Sequence, residues 1–111
     1  MSSPVERFAV VDHNYRQAKD NEAADLSRAQ TEVEVAGIQA NVANARLAYF
    51  EAVALILGAG GPGVEAAFTA ARTAQATIKA SREALELVPT LLGKLTNGTA
   101  AVQHLIAAAR S

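Results

Sequence analysis

Residues 29–63 read AQTEVEVAGIQANVANARLAYFEAVALILGAGGPG. Within them Ala29, Val33, Ala36, Ala40, Ala43, Leu47, Phe50, Ala54 and Leu57 recur at steps of three and four, the spacing that lines residues along one face of an α-helix. The hexapeptide Gly58-Ala59-Gly60-Gly61-Pro62-Gly63 cannot extend that helix, because its glycines favour other backbone conformations and Pro62 lacks a donor. A second helical rhythm begins beyond it. The expected fold is therefore all-α: a long antiparallel helical hairpin turning at Gly58, Gly60, Gly61, Pro62 and Gly63. No strand-like alternation occurs anywhere in the chain.

A second apolar row runs beside the first through Val35, Ile38, Val42, Ala45, Tyr49, Val53 and Ile56. A surface helix of a globular protein has one apolar stripe. Two stripes call for more than one partner helix, so Val35, Ile38, Val42, Tyr49, Val53 and Ile56 are the candidate intersubunit face. Folding the hairpin at the glycines so that residue numbers sum to about 121 sets Phe50 against Ala71, Leu47 against Ala74 and Ala43 against Ile78. Large then meets small, as interdigitated cores require.

Outward from this stretch, the first helix is expected over about 5–57. Ser3 is its candidate N-cap and Pro4 lies in its first turn. Asp20-Asn21 falls in a polar segment, residues 17–28, that reads as part of one rod or as a hinge; the rod is the preferred reading. The second helix is expected over about 62–96, with Glu65 in its first turn and a kink or end at Pro89. Asn97-Gly98 reads as a C-cap, and Thr99 as the cap of a short last helix over about 100–110. All of this belongs to a single helical domain, residues 1–111.

Half of the 111 residues are hydrophobic, yet only 5% are aromatic and none is Trp. Alanine, which fills much of the apolar quota, forms helix well but buries little area. A two-helix hairpin built from it is marginal alone, which argues for a homo-oligomer. The net charge of −1 gives no electrostatic footprint for nucleic acid. The halves differ, with −3 over residues 1–57 and +2 over 58–111, which favours their packing together.

Chemistry-bearing patterns are few. The absence of cysteine excludes disulfides, thiolate metal sites and a cysteine nucleophile. His13 and His104 have no ligand spacing around them, and no cofactor is expected. Glu32, Glu34 and Glu51 lie near apolar surface; Glu51 reads as a polar-stripe or pairing residue rather than a buried functional acid. The glycine cluster follows a helix and lacks the Gly-Lys-Ser/Thr of a phosphate loop. Arg72, Lys79, Arg82 and Lys94 read as a solvated face. The uncharged segment Ala52–Val64 is too short to span a bilayer, but it is a candidate inserting tip.

The run Gln39–Tyr49 resembles helical segments of alanine-rich coiled-coil proteins, bacterial outer-membrane efflux ducts among them. The resemblance implies helix and lends no site residue. The expected function is that of a non-enzymatic structural subunit that self-associates through apolar helical faces. The alternatives are a helical adaptor or chaperone-like module binding another helical protein, and a membrane-active hairpin. Met1–Arg7 lacks a basic start followed by an apolar run, so the expectation is a cytoplasmic protein or one exported without a cleavable signal peptide.

Overall fold

The computed structural model describes residues 1–110. Among them there are five helices: α1 Pro4–Asp20, α2 Glu22–Arg28, α3 Glu32–Ala54, α4 Pro62–Glu83 and α5 Val88–Ala109. The all-α class is therefore as the periodicity requires. The helix boundaries differ from the expected ones, and each difference has a local cause.

The expected rod over 5–57 is three helices. α1 opens on a capping box: Ser3 Oγ accepts from Glu6 N at 3.1 Å, while Glu6 Oε1 accepts from Ser3 N at 2.9 Å. It closes at Asn21, whose side-chain amide donates to Gln17 O at 2.8 Å and so competes with the helix ladder. A second break at Ala29–Thr31 ends in another N-cap, Thr31 Oγ1 accepting from Glu34 N at 3.1 Å. The segment 17–28 is thus a hinge followed by a short helix, and Gln30 N donates to Glu34 as well.

The expected helix over 62–96 stops at Glu83. Leu85 adopts a left-handed φ of 54°, and the bonds Glu86 N to Ser81 O and Leu85 N to Arg82 O complete a Schellman ending. That ending normally carries glycine, so Leu85 gave no signal in the sequence. Pro89 does not kink a helix; it lies in the first turn of α5, where a missing donor is harmless. α5 then runs through Asn97-Gly98 without a break, so the short helix expected over 100–110 is the second half of a 22-residue helix. Gly98 is needed there for closeness, not for a turn. A Cβ on it would fall 2.7 Å from Ile78 Cδ1 and 3.1 Å from Asn14 Oδ1.

The helices pack as two antiparallel hairpins side by side. α1 pairs with α3, and α4 pairs most extensively with α5. α3 also lies along α5, and α1 touches both α4 and α5. α3 and α4, joined by residues 55–61, occupy opposite corners of the bundle. The expected register pairing Phe50 with Ala71, Leu47 with Ala74 and Ala43 with Ile78 is accordingly not formed. The linker crosses under the bundle instead, tied down by Ala59 N donating to Ala109 O at 3.2 Å and by Arg7 Nη1 donating to Leu57 O at 2.7 Å. Gly61, at φ 123°, makes the entry into α4 that a side chain would oppose. Gly63 is already inside α4.

The lower core gathers Val10, Val11, Ala52, Leu57, Phe68, Val102, Leu105 and Ile106. The upper core is built on Ile78, Leu91 and Leu95. At 5988 Å², the accessible surface is close to the roughly 5,800 Å² that a folded monomer of this mass presents. Four helix layers in one chain supply the burial that a two-helix hairpin lacks, so core thinness no longer argues for an oligomer.

Candidate association surface

The six residues of the candidate intersubunit face separate in the structure. Ile38 and Val42 are buried inside the chain's own bundle, at 1% and 3% exposure. Val35 and Tyr49 are half-buried, while Val53 and Ile56 are exposed. The inward row of α3 is Ile38, Asn41, Val42, Ala45, Ala48 and Ala52. Its outward row is the first one read from the sequence: Val33, Ala36, Ala40, Ala43, Leu47, Phe50 and Ala54 are all exposed. Val33 stands 79% exposed, Leu47 66% and Phe50 57%. Within α3 that stripe therefore faces solvent, while its end members differ: Ala29 is half-buried and Leu57 is buried.

The lower end of this row merges with apolar surface from α1. Tyr49 bridges the two helices, its ring 5.8 Å from Phe8, 5.2 Å from Tyr15 and 5.7 Å from Phe50. Below it a groove of about 360 Å³ opens between Pro4, Val5, Phe8, Val53, Leu55 and Ile56. Isolated exposed apolar residues are ordinary, whereas Val33, Leu47 and Phe50 stand in one row along α3. The uncharged segment Ala52–Val64 is not a free tip: Ala52, Leu57 and Val64 are buried. Among the described residues, no helix is long and apolar enough to cross a membrane.

The other polar residues serve the fold. Each hairpin contributes two side chains to a buried layer at mid-height, Asn14 and Asn41 from the first and Gln75 and Thr99 from the second. Gln75 Nε2 donates to Asn14 Oδ1 at 2.9 Å, Asn14 Nδ2 to Thr99 Oγ1 at 3.2 Å, and Thr99 Oγ1 to Asn41 Oδ1 at 2.8 Å. Each of these bonds joins one hairpin to the other, so the layer fixes their register, at some expense of stability against an apolar layer. Thr99, read as a helix cap, belongs to this layer instead.

Ion pairs then clamp both ends of the same seam. Asp25, buried in α2, is held by Arg82 at 2.8 Å, and Arg82 also donates to Gln17. Arg110 pairs with Glu51, so Glu51 is an exposed pairing residue. The opposite charges of the two halves thus meet within one chain. Arg82 and Lys94, expected on a solvated face, are partly buried and paired with Asp25 and Glu86, while Arg72 and Lys79 are exposed. His13 and His104 are also exposed. The described residues contain no cluster of His, Asp and Glu suited to a metal ion.

At the lower end Arg7 is buried and donates to Ser2 O at 2.7 Å, lying 3.6 Å from Glu65. Glu65 accepts from Ser2 Oγ at 2.7 Å and from Ser2 N at 2.6 Å. These two bonds, followed by the charges of the N-terminal amine and Arg7, hold its carboxyl below the ordinary value of 4.5. Bonds from Ser3 do the same for Glu6, and Lys94 does so for Glu86. A lowered folded-state pKa contributes stability above pH 4.5 that is lost as the pH falls through the folded value. Urea midpoints between pH 7 and pH 3 should therefore fall on the acid side, and Glu65→Gln should flatten part of that fall. An unchanged acid limb in the variant would remove Glu65 from the account.

A scan against protein-family models, a search of curated proteins and a search of solved structures each found no match to this chain.

Proposed function

We propose that this protein is a non-catalytic helical subunit whose work is self-association, and that the outward row of α3 is its contact surface. The observation that carries this reading is the division of α3. One apolar row completes the chain's own core, and a second, from Val33 to Ala54, is left in solvent. A strip of that length opposes solubility unless something covers it. Of the acidic residues beside it, Glu34 is engaged in the α3 cap and Glu51 in an ion pair with Arg110.

The test is mass by light scattering after size exclusion, over a wide concentration range, for the wild type and for Phe50→Asp. The wild type should run as an oligomer, and Phe50→Asp should shift it to monomer by at least tenfold in the dissociation constant, with helix content unchanged. A wild type that stays monomeric at every concentration would overturn self-association. It would transfer the same surface to a different helical protein, the adaptor reading.

A further inference from the structure

The outward row of α3 is two interleaved heptad rows. Val33, Ala40 and Leu47 form one, and Ala36, Ala43 and Phe50 the other. Side-chain size along them is graded. The bulky Leu47 and Phe50 lie toward the C-terminal end, three alanines occupy the middle, and a single Val33 stands at the N-terminal end. All six side chains are exposed. We infer that this surface is built for a second copy of the same chain, with the two α3 helices antiparallel about a two-fold axis between Ala40 and Ala43. The inference rests on the self-association reading above and specifies its geometry.

Inverting the second helix so that residue numbers sum to 83 puts each heptad row on the other. Val33 then meets Phe50 of the second copy, Ala36 meets Leu47, and Ala40 meets Ala43. By symmetry the same layers repeat on the far side of the axis, as an isologous interface requires. Alanines at the centre let the two backbones approach closely, and each bulky end closes over the other copy's smaller one. A parallel pair stacks Phe50 on Phe50 and Leu47 on Leu47 at one end while leaving alanine on alanine along the rest, a wedge that cannot fill space evenly. The antiparallel arrangement sets Arg46 beside Gln39 of the other copy, so no like charges are brought together.

The extent of the surface suits a dimer. The overlap from Val33 to Phe50 is about 27 Å long, on a helix about 10–12 Å across. Together with the helix walls and the adjoining Val53 and Tyr49, the pair covers roughly 1,000 Å² in total, the lower bound for a specific interface.

The chain has no cysteine of its own, so the pairing is tested by mixing two full-length variants, Ala36→Cys and Leu47→Cys, one carrying a size tag. Both positions are exposed, and circular dichroism checks that each variant keeps wild-type helix content. Under mild oxidation the mixed disulfide should form at least tenfold faster than either same-variant disulfide. In the antiparallel pair two copies of residue 36 stand eleven residues apart along the axis, about 16 Å, beyond disulfide reach. Fastest coupling of Leu47→Cys with itself would establish a parallel pair and overturn the inference. A wild type that is oligomeric by light scattering, with no preference for the mixed disulfide, would overturn this geometry while leaving self-association standing. A wild type that is monomeric throughout would remove both.

Discussion

Val42→Asp should strongly destabilise this protein, while Phe50→Asp on the same helix should leave its stability nearly unchanged. Val42 is 3% exposed and packs with Ala18 and Ala45 where α1 and α3 meet. A carboxylate there has no partner among those apolar neighbours, and burying an unpaired polar or charged group costs several kcal/mol beyond the lost packing. We expect a loss of about 4 kcal/mol or more, against a total stability of about 5–15 kcal/mol for a domain. The melting temperature should fall by at least 15 °C or so, read by far-ultraviolet circular dichroism. Phe50 is more than half exposed, so an aspartate there meets solvent and should change the melt of the monomer little. The opposite result, an intact Val42→Asp and an unfolded Phe50→Asp, would mean that α3 is rotated about its axis relative to this structure.

Arg82→Ala should be strongly destabilising. Arg82 spans the gap between the two hairpins, joining the end of α4 to Asp25 of α2 and Gln17 of α1. Its removal strands Asp25, whose side chain is 5% exposed, and breaking one partner from a buried pair costs about 3–5 kcal/mol. The controlling comparison is the double variant Asp25→Leu/Arg82→Met. Apolar groups of similar size remove the stranded charge along with the pair, so much of the loss should return. Urea unfolding of the single and double variants gives both numbers. A single variant within 1 kcal/mol of wild type would show that the pair does not hold the hairpins together.

Much of the local structure could be read before any tertiary structure was known. Ser3 followed by Pro4 is a helix start on chemical grounds, and Gly61-Pro62 starts α4. The three-and-four periodicity requires helix and excludes strand. The endings that escaped notice lacked their usual residue: Leu85 stands in the left-handed conformation where glycine is the common choice. Conversely, Asn97-Gly98 carried a stop signal that packing overrode, since α5 uses Gly98 to admit Ile78 and the Asn14 amide. Two apolar rows on α3 were visible, but the row expected to be an intersubunit face contains Ile38 and Val42, which lie inside.

What the sequence determined by itself was the helical class, the capped start of α1, the proline-led start of α4, the helix break at the glycines and the existence of two apolar rows on α3. These follow from short-range effects: backbone conformation, capping bonds and the 3.6-residue repeat all act within a few residues. Only the tertiary structure decided which helices are neighbours, and so which row of α3 is covered. Periodicity records that a face is apolar but not what lies opposite it. The choice falls to packing and to bonds between residues far apart in the chain. Thr99 reaching Asn41 turns the inner row toward α5, Ala18 meeting Val42 and Ala45 sets it against α1, and Val33, Leu47 and Phe50 are left facing outward.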